Sequence, residues 1–233
     1  MTLNDLVAQL QAIYGPDLVA VALYGSAARG EHLRKHSDIN VLVVVERVTM
    51  EHLRKESPVA QAWRETDSPP PLTLTRSEWM GSADVFPIEY ADIIAHHKVL
   101  AGTLPLDGIV VDPADLRLQL EHEAVSKLLR LRHAILLAGR DVKALKSLLE
   151  SSVSTMLVLL RALLRLVGES PSPDSEVVVA RVHERCGIDT ASLLRIVRHT
   201  REQELLSNNE IEPLAERYLA LVQSLVSYLD RYS

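Results

Sequence analysis

Residues 24–40 read Tyr24-Gly25-Ser26-Ala27-Ala28-Arg29-Gly30, then a short basic stretch, then Ser37-Asp38-Ile39-Asn40. An apolar run, Leu18 to Leu23, leads into this segment, and a second, Val41 to Val45, leads out of it. Both runs are apolar on both faces and rich in valine, the pattern of central strands covered on each side. A Gly-Ser turn that follows a buried strand lets backbone N–H groups approach phosphate oxygens with no Cβ in the way. A carboxylate at the head of the next strand can hold the cation that accompanies nucleotide phosphates. Side chains two apart on a strand share a face, so Asp38 and Asn40 project together beside the turn.

Composition narrows the function classes. The chain has 233 residues, room for one large domain or two small ones, each with its own core. Its formal net charge of −6 argues against a broad phosphate-backbone footprint, and an aromatic content of 4% leaves few platforms for stacking bases. The reading therefore expects no nucleic-acid partner. A single cysteine, Cys186, forms no internal disulfide framework and suits a reducing, cytoplasmic setting. The apolar run Met156 to Val167 is interrupted by Arg161 and Arg165 and is short for a bilayer, so no membrane partner is expected.

Working outward from the central segment, Leu3, Leu6, Val7, Leu10 and Ile13 recur at helical spacing before Gly15-Pro16. Thr49 to Glu65 reads as a helix, with Met50, Leu53 and Trp63 as buried positions. Ser68 and three prolines lead to a short strand, Leu72 to Thr75. Val85 to Tyr90 reads as another short strand, with Pro87 suited to an edge. His96-His97 read as surface residues beside a turn.

The pattern changes after Asp112-Pro113. Residues 116–138 and 142–167 carry long helical periodicities separated by Gly139-Arg140-Asp141, and three further helical segments follow, at 176–185, 191–199 and about 210–232. Short loops between amphipathic helices predict a bundle. The expected fold class is α+β, a mixed-sheet core over 1–112 followed by an all-α bundle over 113–233. Lys127, Arg130 and Arg132 read as a solvated helix face, with a reach toward phosphates as the alternative.

The segment resembles the signature of the DNA polymerase β-like nucleotidyltransferase superfamily. The match falls at Leu23, Tyr24, Gly25, Ser26, Arg29, Gly30, Ser37 and Asp38, and the departure at Asn40, where the family's second carboxylate stands. The order of a core followed by a helical bundle is similar to aminoglycoside adenylyltransferases. The resemblance implies transfer of a nucleoside monophosphate from an NTP, most simply ATP, to a hydroxyl of a small molecule or protein, with Mg2+. It implies Gly25, Ser26, Arg29 and Ser37 at the nucleotide, and Asp38, Asn40 and Glu89 at the metal. Asp38 and Glu89 would be catalytic, with Glu89 on the short strand Val85 to Tyr90 as the base for the attacking hydroxyl. Arg29 also reads as a solvated loop arginine. An amide at position 40 can ligate magnesium but brings no charge. The alternative is therefore a catalytically silent nucleotide-binding or interaction module on the same fold. The acceptor, the preferred base and the oligomeric state are not readable from the sequence.

Overall fold

The computed structural model describes residues 1–30 and 39–232, divided into two compact units, Met1–Asp112 and Pro113–Ser233.

The first unit is built on a four-stranded sheet. Its strands are β1 (Leu18–Tyr24), β2 (Asn40–Val45), β3 (Leu72–Thr75) and β4 (His97–Gly102), in the order β3-β2-β1-β4. β1 pairs antiparallel with β2 and with β4, and β2 runs parallel to β3. The valine runs are central because each of their faces has a helical cover. On one side Val21, Leu23, Val41, Val43 and Val45 meet α1 (Leu3–Tyr14) and α3 (Met50–Arg64) through Leu6, Leu10, Tyr14, Val59 and Trp63. On the other, Ala20, Ala22, Leu42 and Val44 meet Trp79 of α4 (Arg76–Gly81) and Tyr90 and Ile93 of α5 (Pro87–Ala95). The alternation of the two sets along each strand is the period-2 geometry of a pleated sheet.

Local chemistry sets the ends of these elements. Thr2 caps α1 in a reciprocal capping box with Asp5, and Thr75 does the same for α4 with Glu78. Gly102 closes β4 at a positive φ of +70°, and a Cβ there would stand 2.0 Å from the Val19 carbonyl oxygen. Only glycine allows that approach. In α3 the buried residues are Glu56, Val59 and Trp63, whereas Met50 and Leu53 are exposed. The inward stripe therefore begins one turn later than the sequence suggests. Glu56 is buried, and Tyr14 and Thr73 both donate hydrogen bonds to its side chain.

Two expectations are corrected. Residues 85–90 do not form a strand: Pro87 occupies the first turn of α5, where its missing N–H is no loss, and Pro87, Ile88, Tyr90 and Ile93 bury one helical face. The fourth strand is instead β4, which begins at His97, so that residue lies in the sheet rather than beside a surface turn. β4 is an edge strand with exposed Lys98 and Val99, which gives it little apolar signal.

The second unit is all helical: α6 (Pro113–Ala138), α7 (Val142–Leu166), α8 (Ser175–Cys186), α9 (Ala191–Thr200) and α10 (Asn208–Arg231). α6 packs on α7 and α10, and α7 also contacts α8 and α9. Among the described residues α7 alone is long and apolar enough to cross a membrane, and most of its apolar stretch is buried in the fold. Within the unit, Lys127 is buried and donates to the Ser152 carbonyl at 3.2 Å, which corrects its reading as part of a solvated face. Ser152 Oγ donates to the Leu149 carbonyl and sits 2.8 Å from the Tyr218 hydroxyl. Burial pushes the Lys127 ammonium down to about 8, and the nearby Arg130 charge adds to the shift.

Candidate functional site at the end of the first strand

β1 ends at Tyr24, and the chain turns at Gly25 into a single helical turn, α2 (Ser26–Arg29). Gly25 has φ +72° and ψ −149°, a conformation open to glycine and strained for other residues. A Cβ at this position would stand 3.1 Å from Asn40 Nδ2, so the Asn40 amide lies directly against the glycine. The sheet register explains why. Tyr24 is the cross-strand partner of Asn40 on one side and of His97 on the other, giving the row Asn40–Tyr24–His97 on one face of the sheet.

α5 packs against that same face through Tyr90 and Ile93. The Tyr90 ring stacks on Trp79 with centroids 4.4 Å apart, and its hydroxyl donates to the Trp79 carbonyl at 2.8 Å. Trp79 in turn donates to the Pro105 carbonyl at 2.6 Å. These contacts fix the helix that carries Glu89 in its first turn. Glu89 is exposed, and its charge reaches Tyr24: burial raises the Tyr24 phenol above its ordinary range and the Glu89 carboxylate raises it further. Gly25, Asn40 and Glu89 are thus gathered about the end of β1, with Ser26 opening α2 beside them. Glu89 reaches this place from a helix and not from a strand, so its neighbours on α5 differ from those expected. Asp92, three residues on, shares its helical face and does not point away from it.

Asp92 is the ionic partner of Arg29, at 2.6 Å, with both side chains largely withdrawn from solvent. The pair ties α2 to α5 and so couples the turn to the helix bearing Glu89. Arg29 is therefore neither a solvated loop arginine nor a cation held only for phosphate. His97 adds a polar group to the row, with Nδ1 2.8 Å from the Ile93 carbonyl. That carbonyl can only accept, so Nδ1 carries the proton and the neutral ring's lone pair is on Nε2. Read as a strand, residues 85–90 would set Asp92 off the face of Glu89, and His97 reads from the sequence as a surface residue, so neither is expected beside the turn. The signal for Asp92 was Pro87, which suits the first turn of a helix; His97 was hidden in a strand whose outward residues are polar or exposed.

Ser37 and Asp38 lie outside the described residues. Among the described residues no three His, Cys, Asp or Glu side chains cluster as a metal site. What the described part of the site offers a cation is one carboxylate, Glu89, and one amide oxygen, Asn40 Oδ1, the arm of the amide opposite the Nδ2 that faces Gly25. Both are hard oxygen donors of the kind magnesium takes, which completes its shell with waters and substrate phosphates.

Residues 3–102 match the family model of the nucleotidyltransferase domain. Among solved structures the chain is similar to the spectinomycin adenyltransferase AAD(9) from Enterococcus faecialis, determined with ATP and spectinomycin. The likeness has a TM-score of 0.62 at 12% identity and covers 99% of this chain and 100% of that one. No curated protein matches the sequence.

Proposed function

We propose, on the premise that residues 3–102 are a nucleotidyltransferase domain, that this protein is an enzyme that transfers a nucleoside monophosphate from ATP to a hydroxyl of a small polyhydroxylated acceptor. The observation that carries the reading is the gathering of the Gly25 turn, the Asn40 amide and the Glu89 carboxylate about the end of β1. The likeness to an adenyltransferase determined with ATP and spectinomycin supports ATP as donor and an aminocyclitol-like molecule as acceptor class.

In this reading Gly25 and Ser26 hold the phosphates through backbone N–H groups, Ser37 serves the nucleotide as a further hydrogen-bonding residue, and Arg29 positions the turn through Asp92. Glu89 accepts the proton of the acceptor hydroxyl. The acceptor oxygen then forms a bond to the α-phosphorus as the bond from that phosphorus to the bridging oxygen breaks, and pyrophosphate leaves in line with the attack. Asp38 and Glu89, with the Asn40 amide oxygen, would hold magnesium, whose charge would offset that of the phosphates.

Asn40 favours a second reading. A neutral ligand at this position lowers the negative charge available to a cation, which suits a module that binds nucleotide without turning it over. Incubation with ATP labelled at the α-phosphate, magnesium and a panel of aminocyclitols and aminoglycosides separates the two. Transfer predicts a labelled acceptor and released pyrophosphate, with a loss of about 10²–10⁴-fold in Glu89→Gln. Saturable ATP binding with no labelled product from any acceptor would favour the silent module, and a Glu89→Gln variant as active as wild type would remove Glu89 as the base.

A further inference from the structure

His97 opens β4 as the cross-strand partner of Tyr24, the residue before the Gly25 turn. α2, which that turn starts, packs on β4, and so does α5, the helix of Glu89. The partly buried His97 side chain therefore stands where β1, the turn and α5 meet. Its ring is fixed by the bond from Nδ1 to the Ile93 carbonyl, 2.8 Å away. The two ring nitrogens point in different directions, so Nε2 is turned away from that carbonyl, and among the described residues it has no hydrogen-bond partner. The bond at Nδ1 survives protonation of the ring, because both forms keep a proton there. A second proton can therefore be taken at Nε2 without disturbing the fold.

The charges around the ring favour that second proton. On the elements packed against it the titratable groups are Tyr24 of β1, Arg29 of α2, and Glu89, Tyr90 and Asp92 of α5, while His96 and Lys98 adjoin it in the chain. Arg29 and Asp92 offset each other at 2.6 Å. Burial holds the phenols of Tyr24 and Tyr90 above their ordinary range, so both are neutral. Lys98 is exposed and, one residue along the strand, belongs to the other face. Glu89 adds a negative charge, and a polyphosphate arriving at the Gly25 turn would add several more. With the Arg29 guanidinium engaged by Asp92, His97 offers those phosphates a charge that backbone N–H groups do not supply. We propose that His97 is a phosphate-binding residue of the nucleotide site: as nucleotide binds, Nε2 takes a proton from solvent and donates it in a charge-assisted hydrogen bond to a phosphate oxygen. The proposal rests on the reading of the end of β1 as a nucleotide site.

The test is calorimetric titration of the full chain with ATP, inorganic tripolyphosphate and adenosine, each with saturating magnesium at neutral pH. His97→Asn keeps a donor at about the place of Nδ1, and with it the bond to Ile93, but removes Nε2. It should melt as wild type does, while the dissociation constants of ATP and tripolyphosphate rise by at least about tenfold and that of adenosine stays unchanged. His97→Gln gives up the bond to Ile93 but brings an amide N–H to the place of Nε2, and should keep more affinity than His97→Asn. Wild type should also take up protons as it binds ATP, read from the dependence of the heat on the ionisation enthalpy of the buffer, and His97→Asn should take up fewer. A His97→Asn variant that binds both polyphosphates as wild type does, or weakens only for adenosine, would overturn the phosphate contact and leave the nucleotide site standing. Wild type that binds neither ATP nor tripolyphosphate would remove the site and the contact together. If His97→Asn does not fold, the wild-type heats carry the test, and ATP binding without proton uptake would overturn the proposal.

Discussion

Asn40 is the residue on which the chemistry of this site turns. Where the signature that this segment resembles has a carboxylate, the chain has an amide of the same shape, seated against Gly25 and paired across the sheet with Tyr24. Exchanging the amide for a carboxylate changes the charge and leaves the volume nearly constant. Asn40→Asp is therefore expected to tighten magnesium by about tenfold, equivalent to ~1.4 kcal/mol, and to raise nucleotidyl transfer. Without metal it should unfold at a lower temperature than wild type, because a new negative charge then stands at the end of β1, where Glu89 already brings one, with no cation to offset the two. Metal titration and thermal unfolding of the same variant, with and without magnesium, check both halves. An unchanged metal affinity together with unchanged metal-free stability would take Asn40 out of the cation site.

At the scale of elements, the helical unit contains a group whose protonation opposes the fold. Lys127 sits on the buried face of α6 with a single carbonyl partner from α7, and burial lowers its ammonium to about 8 against an ordinary value of 10.5. Between those two values the unfolded chain holds the proton and the folded chain has released it. Stability therefore rises as pH increases from about 8 toward 10.5, and below pH 8 the buried charge is a standing penalty. Lys127→Met keeps most of the volume and removes the charge. It should stabilise the protein at pH 7 by about 1 kcal/mol, with the advantage shrinking as pH rises through the window. Urea unfolding of both proteins at pH 7, 8, 9 and 10 reads the difference directly, and a Met variant less stable than wild type at pH 7 would show that the bond to Ser152 outweighs the buried charge. Lys127 also illustrates what a one-dimensional pattern hides. A lysine among leucines at helical spacing reads as the edge of a polar face, and only the packing of α7 and α10 shows that the face is closed.

At the scale of the molecule, the parts visible in the sequence are those whose burial is symmetric or periodic. β1 and β2 announce themselves because both faces are covered and valine fills both. The five helices of the second unit do so because their stripes run for many turns. The Gly25 turn is legible because a positive φ and a close side chain leave glycine no substitute. The parts that were not visible are set by tertiary contacts. β4 is a strand because β1 offers it an edge, not because its own residues insist on it. Glu89 belongs to a helix because Tyr90 and Ile93 must face Trp79 and the sheet, while the six residues around Pro87 suit an edge strand equally well when read alone. The role of Arg29 follows from Asp92, 63 positions away, and no local pattern joins the two. Gly25, Asn40 and Glu89 could thus be picked out of the sequence one by one, but not the arrangement in which a helix, and not a strand, brings Glu89 to the end of β1.

The proposed chemistry stands or falls on nucleotide binding at the end of β1. Calorimetric titration of the intact protein with ATP and magnesium tests it most directly, because it needs no knowledge of the acceptor. The expected result is saturable binding of one ATP per chain, tightened when Asn40→Asp adds a negative charge. Folded wild-type protein that takes up no heat and binds no ATP at millimolar nucleotide and magnesium would contradict it.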